Sequence, residues 1–417
     1  MRIANMEFGI KQNICQGAGC ISKLPELITR EGWKRVLLVC GPTLYKTGAA
    51  KAIEDGIKQA GAELCVFSNV RQNPEAKTID GEAVPAAIEF KADVIVAVGG
   101  GSTIDTAKGI AIVGNSGKRV LDFTIGKIFP NDLLEHDTLP LVAIPTTAGT
   151  GSEVCKNAVI SDENGFKLVL VHESIQPKYS LLDPDMLKSL PFHVAAASSM
   201  DTFVQALETF TNRNANDFTR TQSLRALELV GKSIREFCAN PADAEAANGM
   251  SLACMYAGFS LGLAGIGQDH AITHPLSEEP FNLSHGDACG MVLPAVIEYN
   301  GLSCRELYRQ AYNALTGENL ASHEFEVWQF IDWVVELNCD LHIAGDKSFV
   351  ELGFNDETLE LMMRHPILSF ASIRNLPAEE CEYPRVTSAD DYRDIIRRTA
   401  VYSQAQADRA KAKKTQI

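Results

Sequence analysis

The chain is short of positive charge. Its 38 Lys and Arg stand against 53 Asp and Glu, a formal net charge of −15, and the only basic cluster is the tail Arg409-Ala-Lys-Ala-Lys-Lys414. Such a chain repels a phosphate backbone, which excludes nucleic acid as a partner. It also lacks any C-x-x-C pair: the 11 cysteines are odd in number, and the closest two are Cys15 and Cys20. With no segment resembling a secretory leader, this usage predicts a reduced, cytoplasmic protein without a disulfide framework. What the chain does have is length and apolar content. Its 417 residues, 46% of them hydrophobic, predict two or three domains with cores of their own and exclude a disordered polypeptide.

Residues 246–268 carry no charge, a length that could cross a bilayer. Asn248, Ser251, Ser260, Gln268 and five glycines break the continuous apolar surface that lipid requires. The expectation is a helix buried inside a helical domain, with no membrane partner.

Four short apolar runs, Val36 to Val39, Leu64 to Phe67, Val94 to Val98 and Leu141 to Ile144, alternate with helical patterns at Gly48 to Gln59 and Thr78 to Phe90. This alternation predicts a parallel sheet covered on both faces, with ligands at the C-terminal strand ends. Beyond about Leu190 the periodicity is helical, over Val194 to Thr211, Thr219 to Ala239, Ala244 to Leu263, Glu324 to Asn338 and Ala389 to Arg409. The fold class is therefore α/β plus all-α. The turn-rich stretch Asp183 to Pro191 marks the junction, giving expected domains 1–188 and 189–417 with cofactor chemistry between them.

Two loops carry chemistry. In Val94-Ile-Val-Ala-Val-Gly-Gly-Gly-Ser-Thr-Ile-Asp-Thr-Ala-Lys108 a buried strand runs through Gly99, Gly100 and Gly101 into a helix. Backbone N–H groups and the positive end of that helix would suit a pyrophosphate. The same residues also predict a capping box, with Ser102 as N-cap and Asp105 three positions on. The Asp105 carboxylate is the wrong charge for phosphate, so it belongs to the cap or to the nicotinamide end. The second loop, Pro145-Thr-Thr-Ala-Gly-Thr-Gly-Ser-Glu153, gathers hydroxyls and N–H groups at another strand end, a cradle for phosphate, ribose or carboxamide.

His270, His274 and His285 fall within 16 residues, the first two at i, i+4 spacing, and Asp201 and Gln205 share that spacing on an earlier helix. Two helices could bring these donors to one ion. Carboxylate and imidazoles suit Fe2+ or Zn2+ with a position open for a substrate oxygen; His274 could instead stand behind the ligands.

Together, Gly99-Gly-Gly-Ser-x-x-Asp-x-Ala-Lys108, Pro145 to Glu153, Asp183-Pro184, Met200-Asp201, His270-x-x-x-His274, His285-Gly286 and Leu293-Pro294 resemble the iron-containing (group III) alcohol dehydrogenases, over nearly the whole chain. The resemblance implies a nucleotide-binding domain, a helical metal-binding domain and NAD(P)-dependent interconversion of a small alcohol with its aldehyde or ketone. By position it implies Asp201, His270 and His285 as ligands of Fe2+, or of Zn2+ in its place, with His274 near the nicotinamide. Gly41, Asn73, Gly99, Gly100, Gly101, Ser102, Asp105, Thr146, Thr147, Thr150 and Lys167 match cofactor positions. A homodimer or larger homo-oligomer is implied as well.

Three positions depart from the family pattern. Gln205 stands where a histidine ligand is usual, so it either coordinates weakly or leaves three protein ligands. Ser277-Glu-Glu279 replaces glycines. After the first strand, Val39-Cys40-Gly41 lacks the aspartate that binds ribose hydroxyls and repels a 2′-phosphate, so NADP(H) is expected over NAD(H). A metal-independent reductase of the same fold and a nucleotide-binding relative with impaired catalysis are the alternatives.

Overall fold

The computed structural model describes residues 12–124, 137–365, 367, 368 and 382–415. They form two compact units that divide between Lys188 and Ser189.

The first unit is built on an all-parallel six-stranded sheet. Its strands are β1 (Asn13–Gln16), β2 (Arg35–Cys40), β3 (Glu63–Phe67), β4 (Val94–Gly99), β5 (Leu141–Pro145) and β8 (Tyr179–Leu182), in the order β1-β8-β5-β4-β2-β3. In the central strands β2, β4 and β5 the residues alternate between two cores. Leu37, Val39, Ile95, Ala97, Leu141 and Ala143 face one side, and Val36, Leu38, Val94, Val96, Val142 and Ile144 the other. This two-sided burial is why these strands read as continuous apolar runs. Helices α1 (Leu24–Glu31) and α2 (Lys51–Gln59) cover one face, α3 (Val84–Phe90) and α4 (Gly101–Val113) the other.

The four expected strands are present; the edge pair β1 and β8 is additional, each only four residues long. Also additional is an antiparallel hairpin of β6 (Asn157–Ser161) and β7 (Lys167–Val171). Asp183 closes the unit: its carboxylate accepts hydrogen bonds from the N–H groups of Gly19 and Ile21 at 3.0 and 3.2 Å.

The second unit is helical: α5 (Phe192–Thr211), α6 (Asp217–Ala239), α7 (Ala244–Ala264), α8 (Gln268–Leu276), α9 (His285–Thr316), α10 (Val327–Asp340) and α11 (Ala389–Thr415). The uncharged stretch forms α7 and runs on into α8. Among the described residues no single helix is long and apolar enough to cross a membrane, and this pair is bent by 104°. The longest helix, α9, has no counterpart in the periodicity. Pro294 lies inside it, and its first turns carry Gly286 and Gly290, residues that usually mark loops.

Candidate functional site

In the first unit the register sets the site. Gly99 pairs with Pro145 and Cys40 with Val98, so the loops after β2, β4 and β5 leave the sheet side by side at its C-terminal edge. The Thr146 N–H donates to the Gly99 carbonyl at 3.1 Å. A Cβ on Gly101 would lie 2.5 Å from Thr150 Cγ2, and one on Gly100 3.1 Å from Thr147 Oγ1. Glycine is therefore required for the turn and the threonine loop to touch. No side chain caps the N-terminus of α4, which leaves its dipole end available for an anion.

The expected capping box does not form. Glycine entering the helix moves its start two residues upstream, to an N-cap at Gly100, and this turns Asp105 inward. Its carboxylate accepts from Ser152 Oγ at 2.5 Å and Val159 N–H at 3.0 Å. Burial raises the Asp105 carboxyl, against the opposing charge of Lys108. Lys108, itself buried, donates to Ser152 Oγ and to the carbonyls of Cys155 and Asn157. Both charges of the motif thus brace the loop from beneath. Ser102 and Thr147 are half-buried at the loop surface.

Gly41 is the N-cap of a short helix, Pro42–Lys46, and a Cβ there would meet nothing within 4 Å. Burial, and then the charge of Glu54, push the neighbouring Cys40 thiol up to about 11. Glu54 pairs with Lys58 at 3.8 Å. Asn73 adopts a left-handed conformation, φ 55°, and the next carbonyl, that of Pro74, accepts from Ser161 N–H at 2.7 Å. Lys167 opens β7 and is buried.

In the second unit α5, α8 and α9 converge. Gly286 makes this approach possible, because a Cβ there would lie 1.7 Å from the Ala197 carbonyl of α5. Asp201 Oδ1 lies 3.4 Å from His270 Nε2 and 3.8 Å from His285 Nε2. Gln205 Nε2 donates to the same oxygen at 2.9 Å, so its amide nitrogen is turned toward the carboxylate. His274 is buried on α8, its ring centroid 6.1 Å from that of His285 and 6.4 Å, stacked, from that of His365. His365 Nε2 in turn lies 3.2 Å from Glu278, one of the two unexpected carboxylates.

Three residues of this centre escaped the sequence reading. Glu208 continues the Asp201, Gln205 face of α5 at i+7, the spacing that could have found it. It accepts from the N–H groups of Gly267 and Asp269 at 2.9 and 2.7 Å and from His270 Nδ1 at 2.6 Å. Cys289 follows His285 at i+4 and joins Asp201, His270 and His285 in a cluster whose ligand atoms all lie within 4.8 Å of one another. Asp269 is wholly buried, and burial followed by the charge of Glu208 pushes its carboxyl well above the ordinary range.

The electrostatics of the centre favour a cation. Burial alone would raise Asp201, but His285, His270 and the Gln205 amide hold it below its ordinary value. Burial also opposes charge on His270, yet Glu208 and Asp201 push that imidazole up to about 10.

Comparison with known proteins accounts for both units. Residues 11–184 match the family described as iron-containing alcohol dehydrogenase, and residues 195–381 match the C-terminal domain of the Fe-containing alcohol dehydrogenase family. Choline dehydrogenase of Bacillus subtilis is 31% identical over 370 residues, which is 87% of this chain and 90% of that protein. Long-chain-alcohol dehydrogenase 1 of Geobacillus thermodenitrificans is 31% identical over 84% of this chain and 87% of its own length. The solved structure of an alcohol dehydrogenase from Oenococcus oeni superimposes with a TM-score of 0.83 at 30% identity, covering 93% of this chain and 98% of the other.

Proposed function

The chain belongs to the iron-containing alcohol dehydrogenase family, and from that premise we infer how it interconverts an alcohol with its aldehyde or ketone: Asp201, His270 and His285 hold a divalent ion, and the first unit binds NADP(H). The observation that carries the metal assignment is the donor set. His270 Nε2 and Gln205 Oε1 are buried polar atoms that the protein leaves without a hydrogen bond, beside the Asp201 carboxylate. One carboxylate and two imidazoles suit Fe2+ or Zn2+. When bound, the ion polarises the carbonyl oxygen and the nicotinamide exchanges a hydride with the carbonyl carbon.

The chain's own residues do the rest. Glu208 accepts the Nδ1 proton of His270 and so presents Nε2 to the centre, while Gln205 steadies Asp201. His274 is the protein group proposed to give a proton to the alkoxide oxygen in reduction. In the first unit Gly99, Gly100, Gly101 and Ser102 offer N–H groups to the diphosphate, and Thr146, Thr147 and Thr150 offer hydroxyls to ribose or nicotinamide. Asn73 and Lys167 complete that proposed set. Asp105 acts by bracing the loop through Ser152. Open space at Gly41, with no carboxylate from residue 39 to 41, supports room for a 2′-phosphate, and Glu54 is engaged with Lys58.

A cytoplasmic location and a homo-oligomer complete the proposal. None of the ten described cysteines is joined in a disulfide. Leu302 and Trp328, 97% and 64% exposed, offer apolar surface for assembly. The test is a panel of aldehydes and ketones with NADPH and NADH, run with Fe2+, Zn2+ or chelator. Oxidation of NADPH that depends on carbonyl and metal is expected. Absence of turnover in metal-loaded protein overturns the reading, and turnover indifferent to chelator supports the metal-independent reductase that Gln205 would allow.

A further inference from the structure

We propose that Cys289 is the fourth protein ligand of the ion, so that this chain builds an Asp-His-His-Cys centre in which a thiolate takes the coordination place that Gln205 fills poorly. The inference rests on the metal reading above and goes beyond it, because the residues matched by family resemblance contain no sulfur donor.

Geometry supports it first. Metal–nitrogen and metal–oxygen bonds of about 2.0–2.2 Å and a metal–sulfur bond of about 2.3 Å, at tetrahedral angles, separate ligand atoms by roughly 3.3–3.6 Å. The observed edges are 3.4 Å from Asp201 to His270, 3.8 Å from Asp201 to His285 and 3.9 Å from His285 Nε2 to Cys289 Sγ. The other three edges lie within 4.8 Å, so the four donors draw together around an ion to close the figure. A helix turn separates His285 and Cys289, so both project from one face of α9. The first turns of α9 pack closely against α5: a Cβ at Gly286 would lie 1.7 Å from the Ala197 carbonyl, and one at Gly290 3.1 Å from Met200 Cε, the residue before Asp201.

Chemistry supports it second. A neutral amide oxygen is a weak donor to Fe2+ or Zn2+, and the Gln205 amide is oriented by Asp201, to which its nitrogen donates. A thiolate is a strong and softer donor. Cys289 is wholly buried and forms no disulfide. Coordination releases the thiol proton to solvent, and the Asp201 and Cys289 charges together neutralise a divalent ion.

Cobalt(II) reads this directly. Wild-type protein loaded with Co2+ under reducing conditions should show a thiolate-to-cobalt charge-transfer absorption. Cys289→Ser should still bind one Co2+, at least tenfold more weakly, without that absorption; Gln205→Ala should keep the band. X-ray absorption on wild-type Zn2+ protein asks the same question without a variant, and should find one sulfur at about 2.3 Å. A wild-type spectrum with nitrogen and oxygen donors only, or a band unchanged in Cys289→Ser, overturns the proposal. If Asp201→Ala abolishes Co2+ binding in that case, the three-residue metal site stands without Cys289. If wild type binds no Co2+, both fall.

Discussion

Glu208 accepts a 2.6 Å hydrogen bond from Nδ1 of His270, and this one contact fixes which nitrogen of the imidazole faces Asp201. The carboxylate is itself held by two backbone N–H groups, from Gly267 and Asp269, at the entry to α8. Carboxylate, imidazole and prospective ion therefore form one chain of contacts across α5 and α8. Carboxylates placed behind metal-bound histidines typically contribute 10- to 100-fold to metal affinity. Glu208→Gln should weaken Fe2+ or Zn2+ binding by roughly that factor, read by competition with a chromophoric chelator. An unchanged affinity would detach Glu208 from the metal.

Asp201 is the one carboxylate that both imidazoles and Gln205 address. Asp201→Ala removes the carboxylate ligand of the centre and leaves His270 beside Glu208 alone. Metal content should fall to background and carbonyl-dependent NADPH oxidation by at least 1,000-fold, roughly 4 kcal/mol of barrier. Metal analysis and kinetics on the same preparation check it, and retained metal would contradict it.

The glycine turn makes a separate prediction. Because a Cβ on Gly101 would lie 2.5 Å from Thr150, Gly101→Ala must push the turn away from the threonine loop. NADPH affinity should fall about tenfold or more, a cost near 1.4 kcal/mol, with metal content unchanged. Titration of nicotinamide fluorescence reads the first and metal analysis the second.

Gly41→Asp introduces a carboxylate where a 2′-phosphate is proposed to bind. The NADPH to NADH ratio of kcat/KM should drop by about 10-fold or more. An unmoved ratio would show that coenzyme choice is made elsewhere in the chain.

Acid stability follows from Glu31, whose carboxylate accepts from Lys178 at 2.5 Å and Tyr179 at 2.6 Å; these hydrogen bonds hold it below its ordinary value. A depressed carboxyl stabilises the fold above its unfolded value and loses that contribution as pH falls through its folded value. Glu31→Gln should therefore cost about 0.5–1 kcal/mol at pH 7. The difference from wild type should shrink between pH 7 and strongly acid pH, as protonation of Glu31 through its depressed folded value leaves both side chains neutral. Melting temperatures at the two pH values check the sign.

The sheet half of the chain is legible because buried parallel strands write themselves as unbroken apolar runs, and Gly99 to Gly101 interrupts one of them at the ligand edge. The hairpin of β6 and β7 is hidden because buried and half-buried residues, polar and apolar, are mixed along both short strands, and β1 because four residues of mixed polarity carry no period. In the helical half Asp201, His270 and His285 stand out as residue types, whereas Glu208 and Cys289 become informative only when folding turns i+7 and i+4 neighbours toward the same point. The misassigned cap at Ser102 has a similar origin. Sequence does not reveal that a glycine can start a helix when tertiary contacts hold it there.

The most direct test follows one preparation through removal and return of its metal. Purified protein is stripped with chelator, assayed for aldehyde-dependent NADPH oxidation, reloaded with one equivalent of Fe2+ or Zn2+ and assayed again, with metal content measured at each stage. The account predicts turnover that disappears with the metal and returns in proportion to its occupancy at one ion per chain. Full activity in the stripped protein would contradict it.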